Sequence, residues 1–349
     1  MLTPYVFTSL TRIADLDSTG FDVAELPRDQ WADGDYVVAT VTGTPSSLYR
    51  FELANGRIVE AMEGTPAVGA FGKRAATLEV TGDWAAIGPD GSMEALTSAG
   101  LFGKALSVAP TLARLMSLSY SGHVLRDGRK LTMDDFVSPT PPTHFSMPVV
   151  VLIGTSMSAG KTTAGRIIVH ELKHAGLRVA GAKLTGAGRY RDVLAFGDAG
   201  ADTLIDFVDA GLPSTVVPPT RFARAMEHML ATIAARGADI LVAEAGASPL
   251  EPYNGDTAVR MLGSNLCCTV LCASDPYAVV GVRDAFNIEP DIITGPTANT
   301  QAGIDLVRKL TGLEALNLLD PDSIPRLLEI LRRTLPLAPR RGAASAENR

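Results

Sequence analysis

The hydrophobic positions change texture near the middle of the chain. From Tyr36 they come in short runs, at 36–41, 48–53 and 57–62, bounded by Asp33-Gly34, Gly43-Thr44-Pro45 and Asn55-Gly56. Such runs, punctuated by Gly, Pro and Asn, are strands and turns, and Asn-Gly between two of them signals a hairpin. Runs at 68–71, 75–80 and 84–87 keep the spacing, which predicts a small barrel or curled sheet. Residues 98–118, with Gly100 and Gly103, read as irregular or helical. Residues 115–125 read as a further strand ending in the turn Arg126-Asp127-Gly128-Arg129. Up to Arg28 no period stands out.

The stretch Ser138-Pro139-Thr140-Pro141-Pro142-Thr143 breaks this texture, because helix cannot easily continue through it. Beyond it, apolar runs without polar alternation take turns with helical patterns. The predicted strands are 149–153, 178–184, 214–217, 239–243, 268–272, 291–294 and 315–318. The predicted helices are 161–175, 202–210, 221–235, 256–262, 277–286, 301–310 and 321–334. Strands apolar on both faces imply a parallel sheet covered on both sides, with ligands beyond its carboxyl edge.

The first of these strand-to-helix joins carries the chemistry. An apolar run from Val149 to Ile153 meets Gly154-Thr155-Ser156-Met157-Ser158-Ala159-Gly160-Lys161-Thr162-Thr163, and a helical pattern follows. A helix N-terminus offers unpaired N–H donors and a partial positive charge, and glycine lets the backbone approach an anion closely. In a phosphate loop Lys161 reaches the β- and γ-phosphates and the Thr162 hydroxyl ligates Mg²⁺. Gly154, Thr155, Ser156, Ser158, Ala159, Gly160 and Thr163 complete the candidate cradle. Thr155 stands where the commonest pattern has its first glycine, and Gly154 lies one residue earlier. A small-residue surface turn is the alternative, but the strand before and the helix after favour the phosphate loop.

The fold class expected is therefore α/β: a C-terminal parallel-sheet P-loop NTPase domain over 147–336, with a smaller β-rich N-terminal domain over 1–137. Residues 138–146 form a Pro-rich linker, and the polar tail 337–349 is expected to be disordered.

Composition narrows the partners. The 349 residues include 38 acidic and 31 basic side chains, a net charge of −7, which gives no electrostatic case for nucleic acid or an anionic membrane. No stretch reaches eighteen uninterrupted apolar residues, and no leader pattern is visible, so a soluble cytoplasmic protein is expected. Cys267, Cys268 and Cys272 fall in one apolar run without a fourth ligand nearby, which reads as buried thiols in a reducing compartment. His170 and His174 have zinc-like spacing without an apparent third ligand.

Three further segments should reach the same sheet edge: Lys183–Asp192, Glu244–Pro252 and Ser274-Asp275-Pro276. Together with the loop they resemble dethiobiotin synthetase and related P-loop enzymes. The matching residues are Gly154-Thr155 with Gly160-Lys161-Thr162, Lys183, Asp192-Val193-Leu194, and Glu244-Ala245-Gly246-Ala247, where the family has Glu-Gly-Ala-Gly. The resemblance implies that Thr162, Asp192 and Glu244 gather around Mg²⁺, and that Lys183 holds an anionic or reacting group. Read on its own, Asp192 also fits a helix cap, with Asp198 or Asp202 in its place at the metal, and Lys183 also fits a solvated strand end. A second resemblance is to the D-glutamate N-acetyltransferase family, carried by the loop and by Ala247-Ser248-Pro249-Leu250. Its members have a Rossmann-like N-terminal domain, whereas this one reads as β-rich.

The function expected is an ATP- and Mg²⁺-dependent small-molecule enzyme, ligase- or kinase-like, that phosphorylates a carboxylate or carbamate. Lys161, Lys183 and Glu244 are the expected catalytic residues, and an amino acid or other carboxylate is the expected substrate. The alternatives are an N-acyltransferase, with the loop on the phosphates of acetyl-CoA, and a non-enzymatic nucleotide switch. No Asn-Lys-x-Asp base motif is present, which counts against GTP. Related folds hold the nucleotide base near the position of Thr294-Gly295-Pro296-Thr297. Related enzymes are often dimers, which implies a homo-oligomer. Gly72-Lys73-Arg74 is a further candidate for a substrate carboxylate or phosphate.

Overall fold

The computed structural model describes residues 5–43, 50–246, 248 and 250–336. The tail from 337, the turn residues Thr44 and Pro45, and Ala247 and Pro249 lie outside the described residues.

Twelve described strands precede the proline-rich stretch: β1 (Val6–Phe7), β2 (Asp22–Ala24), β3 (Tyr36–Thr42), β4 (Arg50–Glu52), β5 (Ile58–Glu60), β6 (Pro66–Phe71), β7 (Lys73–Ala75), β8 (Val80–Asp83), β9 (Ser92–Thr97), β10 (Leu101–Val108), β11 (Ser117–Arg126) and β12 (Arg129–Lys130). Asn55-Gly56 does turn a hairpin, β4–β5. The other ten strands form one sheet in the order β1-β6-β3-β11-β9-β10-β8-β7, with β2 and β12 on β11. Because β6 pairs with β3 and also, in parallel, with β10, the strands β6-β3-β11-β9-β10 close into a ring. Closure removes exposed edges. The period of two sorts side chains between two cores. Val37, Ala39 and Val41 join Phe51, Phe71, Phe102 and Met93 inside the barrel, whereas Tyr36 and Val38 join the cluster that also holds Val149, Val151 and Ile153. One apolar cluster thus runs from the barrel wall into the second half of the chain.

That half is a six-stranded, wholly parallel sheet: β13 (Val149–Gly154), β14 (Val179–Thr185), β15 (Thr203–Asp206), β16 (Ile240–Ala245), β17 (Leu266–Cys272) and β18 (Ile292–Thr294), ordered β15-β14-β16-β13-β17-β18. The helices are α1 (Lys161–His174), α2 (Tyr190–Asp198), α3 (Pro219–Ala235), α4 (Gly255–Leu262), α5 (Pro276–Phe286), α6 (Gln301–Thr311) and α7 (Ile324–Thr334). Buried residues of α1, α2 and α7 pack on the face bearing Val150, Leu152 and Val242, and those of α3 to α6 on the face bearing Val151, Ala243 and Leu271. Both faces are covered, as apolar strands without alternation require.

Several elements differ from expectation. Residues 202–210 hold the edge strand β15 rather than a helix, because Thr203–Asp206 finds a parallel partner in β14. Residues 98–118 contain β10 rather than helix or irregular chain. Gly103 is needed there, because a Cβ would come within 2.9 Å of the Trp84 nitrogen. The run 75–80 is mostly the turn between β7 and β8, and Trp84–Ala86 is a 3₁₀ turn capped by Asp83, not a strand. Residues 214–217 and 315–318 supply only single bridges, Ser214 to Ala187 and Ala315 to Ile293. Residues before Arg28 add β1 and β2 to the sheet.

Two buried contacts fasten the barrel to the parallel sheet. Glu52 accepts hydrogen bonds from Ser9 Oγ (2.6 Å) and from the backbone N–H of Tyr190 (2.6 Å) and Arg191 (3.3 Å), and so caps α2. Arg12 lies between Asp206 (2.7 Å) and Asp209 (2.8 Å), with its guanidinium 4.6 Å from the Tyr190 ring centre.

Candidate functional site

β13 lies inside the sheet between β16 and β17, so the loop after Gly154 emerges where the strand order reverses. Gly160 takes a left-handed conformation (φ +92°) to turn the chain into α1. Thr155 anchors the loop: its N–H donates to Cys272 O (3.1 Å), and its Oγ1 accepts from Ser274 N (3.1 Å). Ala159 is buried beneath, Ser156 is partly covered, and Ser158 and Thr163 are exposed. Lys161 is 1% exposed, and its ammonium donates back to Ser156 O at 2.7 Å, inside the loop it closes. Burial lowers its pKa, an effect that the nearby Glu244 opposes.

Register places the second group. Lys183 of β14 and Glu244 of β16 are direct parallel partners, and Glu244 is also opposite Leu152 of β13. Lys183 and Glu244 are 2% and 3% exposed. An unpaired charge at such depth is costly, and each is compensated. Thr162 Oγ1 donates to Glu244 Oε2 at 2.9 Å. Lys183 Nζ donates to Asp192 Oδ2 at 2.6 Å and to Ala187 O at 3.2 Å. Burial works against the Lys183 ammonium, but Asp192 and Glu244 outweigh it and raise its pKa. Burial raises the Glu244 carboxyl, with Lys161 and Lys183 opposing. Asp192 is lowered despite its burial, chiefly by Lys183 and then by Arg189.

The structure therefore brings Lys161, Thr162, Lys183, Asp192 and Glu244 to one cleft of about 360 Å³. Within it the side chains pair as Thr162 with Glu244 and Asp192 with Lys183. Gly246 fits the same crowding: its N–H donates to Thr185 O, and a Cβ would come within 2.2 Å of that oxygen. Asp275 is used elsewhere, accepting from Tyr277 N and Ala278 N at the start of α5.

The fourth wall comes from the barrel. Arg74, Glu79, Thr97 and Ser98 line the same cleft. Ser158 Oγ donates to Glu79 Oε1 at 3.1 Å, and Arg74 pairs with Glu79 while donating to Leu96 O at 2.6 Å. The turn bearing these residues is tied down by Ala75 N to Tyr253 OH (2.7 Å) and Thr77 N to Glu251 Oε1 (3.0 Å). Sequence patterning marked Gly72-Lys73-Arg74 but missed Glu79, Thr97 and Ser98, which no local motif announces.

Beside the loop, a recess of about 150 Å³ is lined by Gly160, Ile167, Pro296 and Leu318 and by Asn299 and Asn317, the last with its Oδ1 accepting from Leu319 N at 3.1 Å. Gly295 (φ +91°) is required beside it, because a Cβ would come within 2.5 Å of Ala159 O.

The donors suit Mg²⁺ in part. One hydroxyl and one carboxylate, both oxygen, match a cation that keeps several waters and takes phosphate oxygens. Among the described residues no group of three or more His, Cys, Asp or Glu is placed to hold a metal by itself. His170 and His174 stand with ring centres 4.0 Å apart on α1 without such a set. The three cysteines are free thiols on β17, and burial pushes Cys268 and Cys272 up to about 12. Among the described residues no helix is long and apolar enough to cross a membrane.

No protein-family model and no curated protein matches the chain. Solved structures overlap part of it. Chloroplast FtsY from Physcomitrella patens is 14% identical over 52% of this chain and 62% of its own, with a TM-score of 0.36. A DUF1611 family protein from Anabaena variabilis is 19% identical over 60% and 66%, with a TM-score of 0.35. Cell division protein FtsY from Thermotoga maritima is 18% identical over 51% and 63%, with a TM-score of 0.36. The chain thus spans less than two thirds of the length of each of these structures. Its own coordinates define the fold: a parallel α/β sheet of P-loop type, with a closed β-barrel set against its carboxyl edge.

Proposed function

We propose that the chain is an ATP- and Mg²⁺-dependent enzyme of small-molecule metabolism that activates a carboxylate or carbamate by phosphorylation. The observation that carries this reading is the convergence of Lys161, Thr162, Lys183 and Glu244 on one cleft, walled by a second unit large enough to shape a substrate. The resemblance to dethiobiotin synthetase in the loop, in Lys183 and in Glu244 supports it.

The loop amides and Lys161 bind the β- and γ-phosphates, exchanging the Ser156 carbonyl for phosphate oxygen. Thr162 and Glu244 would hold the metal, which would offset the negative charge of the phosphates. Lys183, kept charged by Asp192, steadies the acceptor. At an effective dielectric of about 20, a lysine about 4 Å from one charge gains roughly 4 kcal/mol before desolvation. An acceptor oxygen attacks the γ-phosphorus, the bond to the β–γ bridging oxygen breaks, and ADP departs. The acyl phosphate left behind is then attacked at carbon by an amine, which releases phosphate. The Asn299 and Asn317 recess takes the base.

Calorimetric titration with ATP, with and without Mg²⁺, and with acetyl-CoA tests this reading. Mg²⁺-dependent ATP binding that falls at least a hundredfold in Lys161→Ala is expected. Metal-independent preference for acetyl-CoA would overturn it in favour of acyl transfer from a loop-bound coenzyme.

A further inference from the structure

Lys183 stands in a row of charges that runs across the carboxyl edge of the sheet. Its direct parallel partner on β16 is Glu244, and its direct partner on β15 is Asp206. In-register residues of neighbouring strands project to the same face, so Lys183 has an acid on either side in addition to Asp192 on α2. Asp206 adds to the pull of Asp192 and Glu244 on the ammonium. Yet Lys183 Nζ donates to Asp192 and to Ala187 O, and not to Asp206.

Asp206 is 1% exposed, and a carboxylate at that depth needs compensation. Arg12 supplies it. Its Nη2 donates to Asp206 Oδ1 at 2.7 Å, and Val208 N donates to the same oxygen at 2.8 Å. Oδ2 is buried without a hydrogen-bond partner among the described residues. An acceptor left in that condition is costly, and the ammonium of the next strand is a donor in register with it.

The segment 9–12 reaches both members of the Lys183–Asp192 pair. Ser9 Oγ donates to Glu52, which caps α2 and so holds the helix that carries Asp192. Arg12, with its side chain 7% exposed, spans Asp206 and Asp209 on the other side of Lys183. Its guanidinium also lies over the ring of Tyr190, the first residue of α2.

We propose that Arg12 is a positioning residue for Lys183: by neutralising Asp206 it leaves Asp192 as the stronger partner, and so keeps the ammonium in the cleft. Arg12 itself is not among the residues that line that cleft. Its planar fork suits the task, because it engages two carboxylates at once where an ammonium is a point charge. The proposal rests on the phosphoryl-transfer reading only for what Lys183 does to an acceptor. Where the ammonium stands is a property of the chain alone.

The test reads that position directly, without turnover. Crystal structures of Arg12→Met, Asp206→Asn and the double variant are compared with that of the unaltered full chain. In Arg12→Met, Lys183 Nζ is expected more than about 4 Å from Asp192 and within about 3.2 Å of an Asp206 oxygen. In the double variant, where residue 206 no longer carries a charge, the ammonium returns to Asp192. In Asp206→Asn, which keeps Arg12 on Asp209, it does not leave. In solution, the Lys183 ammonium resonance of nitrogen-labelled protein should shift in Arg12→Met and return in the double variant. An arginine that only stabilises the fold would give no such return. An ammonium that stays on Asp192 in Arg12→Met, or leaves it in Asp206→Asn or in the double variant, would overturn the proposal. If Arg12→Met does not fold, the other two variants still decide by that criterion. Calorimetry with ATP and Mg²⁺ separates this from the reading of function. Displacement of Lys183 in a chain that binds no ATP would keep the positioning role and remove phosphoryl transfer. ATP binding with Lys183 unmoved in Arg12→Met would do the reverse.

Discussion

Lys183 Nζ lies 2.6 Å from Asp192 Oδ2, the lysine supplied by the sheet and the acid by α2. The start of that helix is in turn capped by Glu52 of the β4–β5 hairpin, so the N-terminal half of the chain sets where the counter-ion stands. Asp192→Asn leaves Glu244 and Asp206 as the acids that still favour the Lys183 ammonium. Removing one partner of a fully buried pair costs about 3–5 kcal/mol. Asp192 is 22% exposed and Glu244 stays in place, so a loss of about 1–3 kcal/mol is expected. Urea unfolding should show a lower midpoint with an unchanged slope. An unaltered midpoint would mean that the pair does not compensate Lys183.

Two glycines of the cleft should respond in opposite ways to a methyl group. The three atoms nearest a Cβ on Gly154 all belong to the Lys161 side chain, with Nζ at 2.8 Å and Cδ at 3.0 Å. That side chain can move, so Gly154→Ala should keep its melting temperature and lose nucleotide affinity on the order of tenfold, about 1.4 kcal/mol. On Gly246 the obstacle is the backbone oxygen of Thr185, which cannot yield cheaply. Gly246→Ala should cost about 1–3 kcal/mol of stability. If melting curves and titrations exchange these two outcomes, Lys161 is not the movable element assigned here.

Glu79 places a carboxylate on the phosphate loop through Ser158. A polyphosphate must approach against that charge, and Glu79→Gln removes it while releasing Arg74. Nucleotide affinity should rise roughly three- to tenfold at low salt, and the gain should shrink near 1 M salt, where the screening length falls to about 3 Å. A loss of affinity in the titration would assign Glu79 a supporting role at the loop instead.

What could be read from the sequence follows the range of the interactions involved. The strand at Val149, the loop and the helix from Lys161 are local patterns, and the register that sets Lys183 beside Glu244 follows from two apolar runs lying parallel. Longer-range facts were hidden. Thr203–Asp206 carries a helical period, but β14 offers it an open edge, and pairing prevails. Gly100 and Gly103 look like breakers, yet both mark crowding around β10, with the Thr8 hydroxyl 2.0 Å from a Cβ on Gly100. Spacing alone does not decide whether Asp192 faces a metal or a lysine, and in this structure it reaches Lys183. Glu79 meets Ser158 across 79 positions of chain, a contact that no motif encodes.

The buried carboxylate of Glu244 gives the site a pH signature with a definite sign. Burial raises its pKa above the ordinary glutamate value of about 4.3, with Lys161 and Lys183 opposing. Between that value and the raised one, the folded chain without metal keeps a proton that the unfolded chain has released. Through this window its stability therefore falls as pH rises. Metal binding needs the anion, so the proton competes with it. The Mg²⁺-linked part of nucleotide affinity should be complete above the raised pKa and fall about tenfold per pH unit below it. At alkaline pH the affinity should fall again as Lys161, lowered by its own burial, loses its charge. Titrations on both sides of neutrality should trace this bell, and Glu244→Gln should remove the acid limb while leaving the alkaline one. An acid limb that survives in Glu244→Gln would show that another group binds the competing proton, and that Glu244 is not the carboxylate that takes the metal.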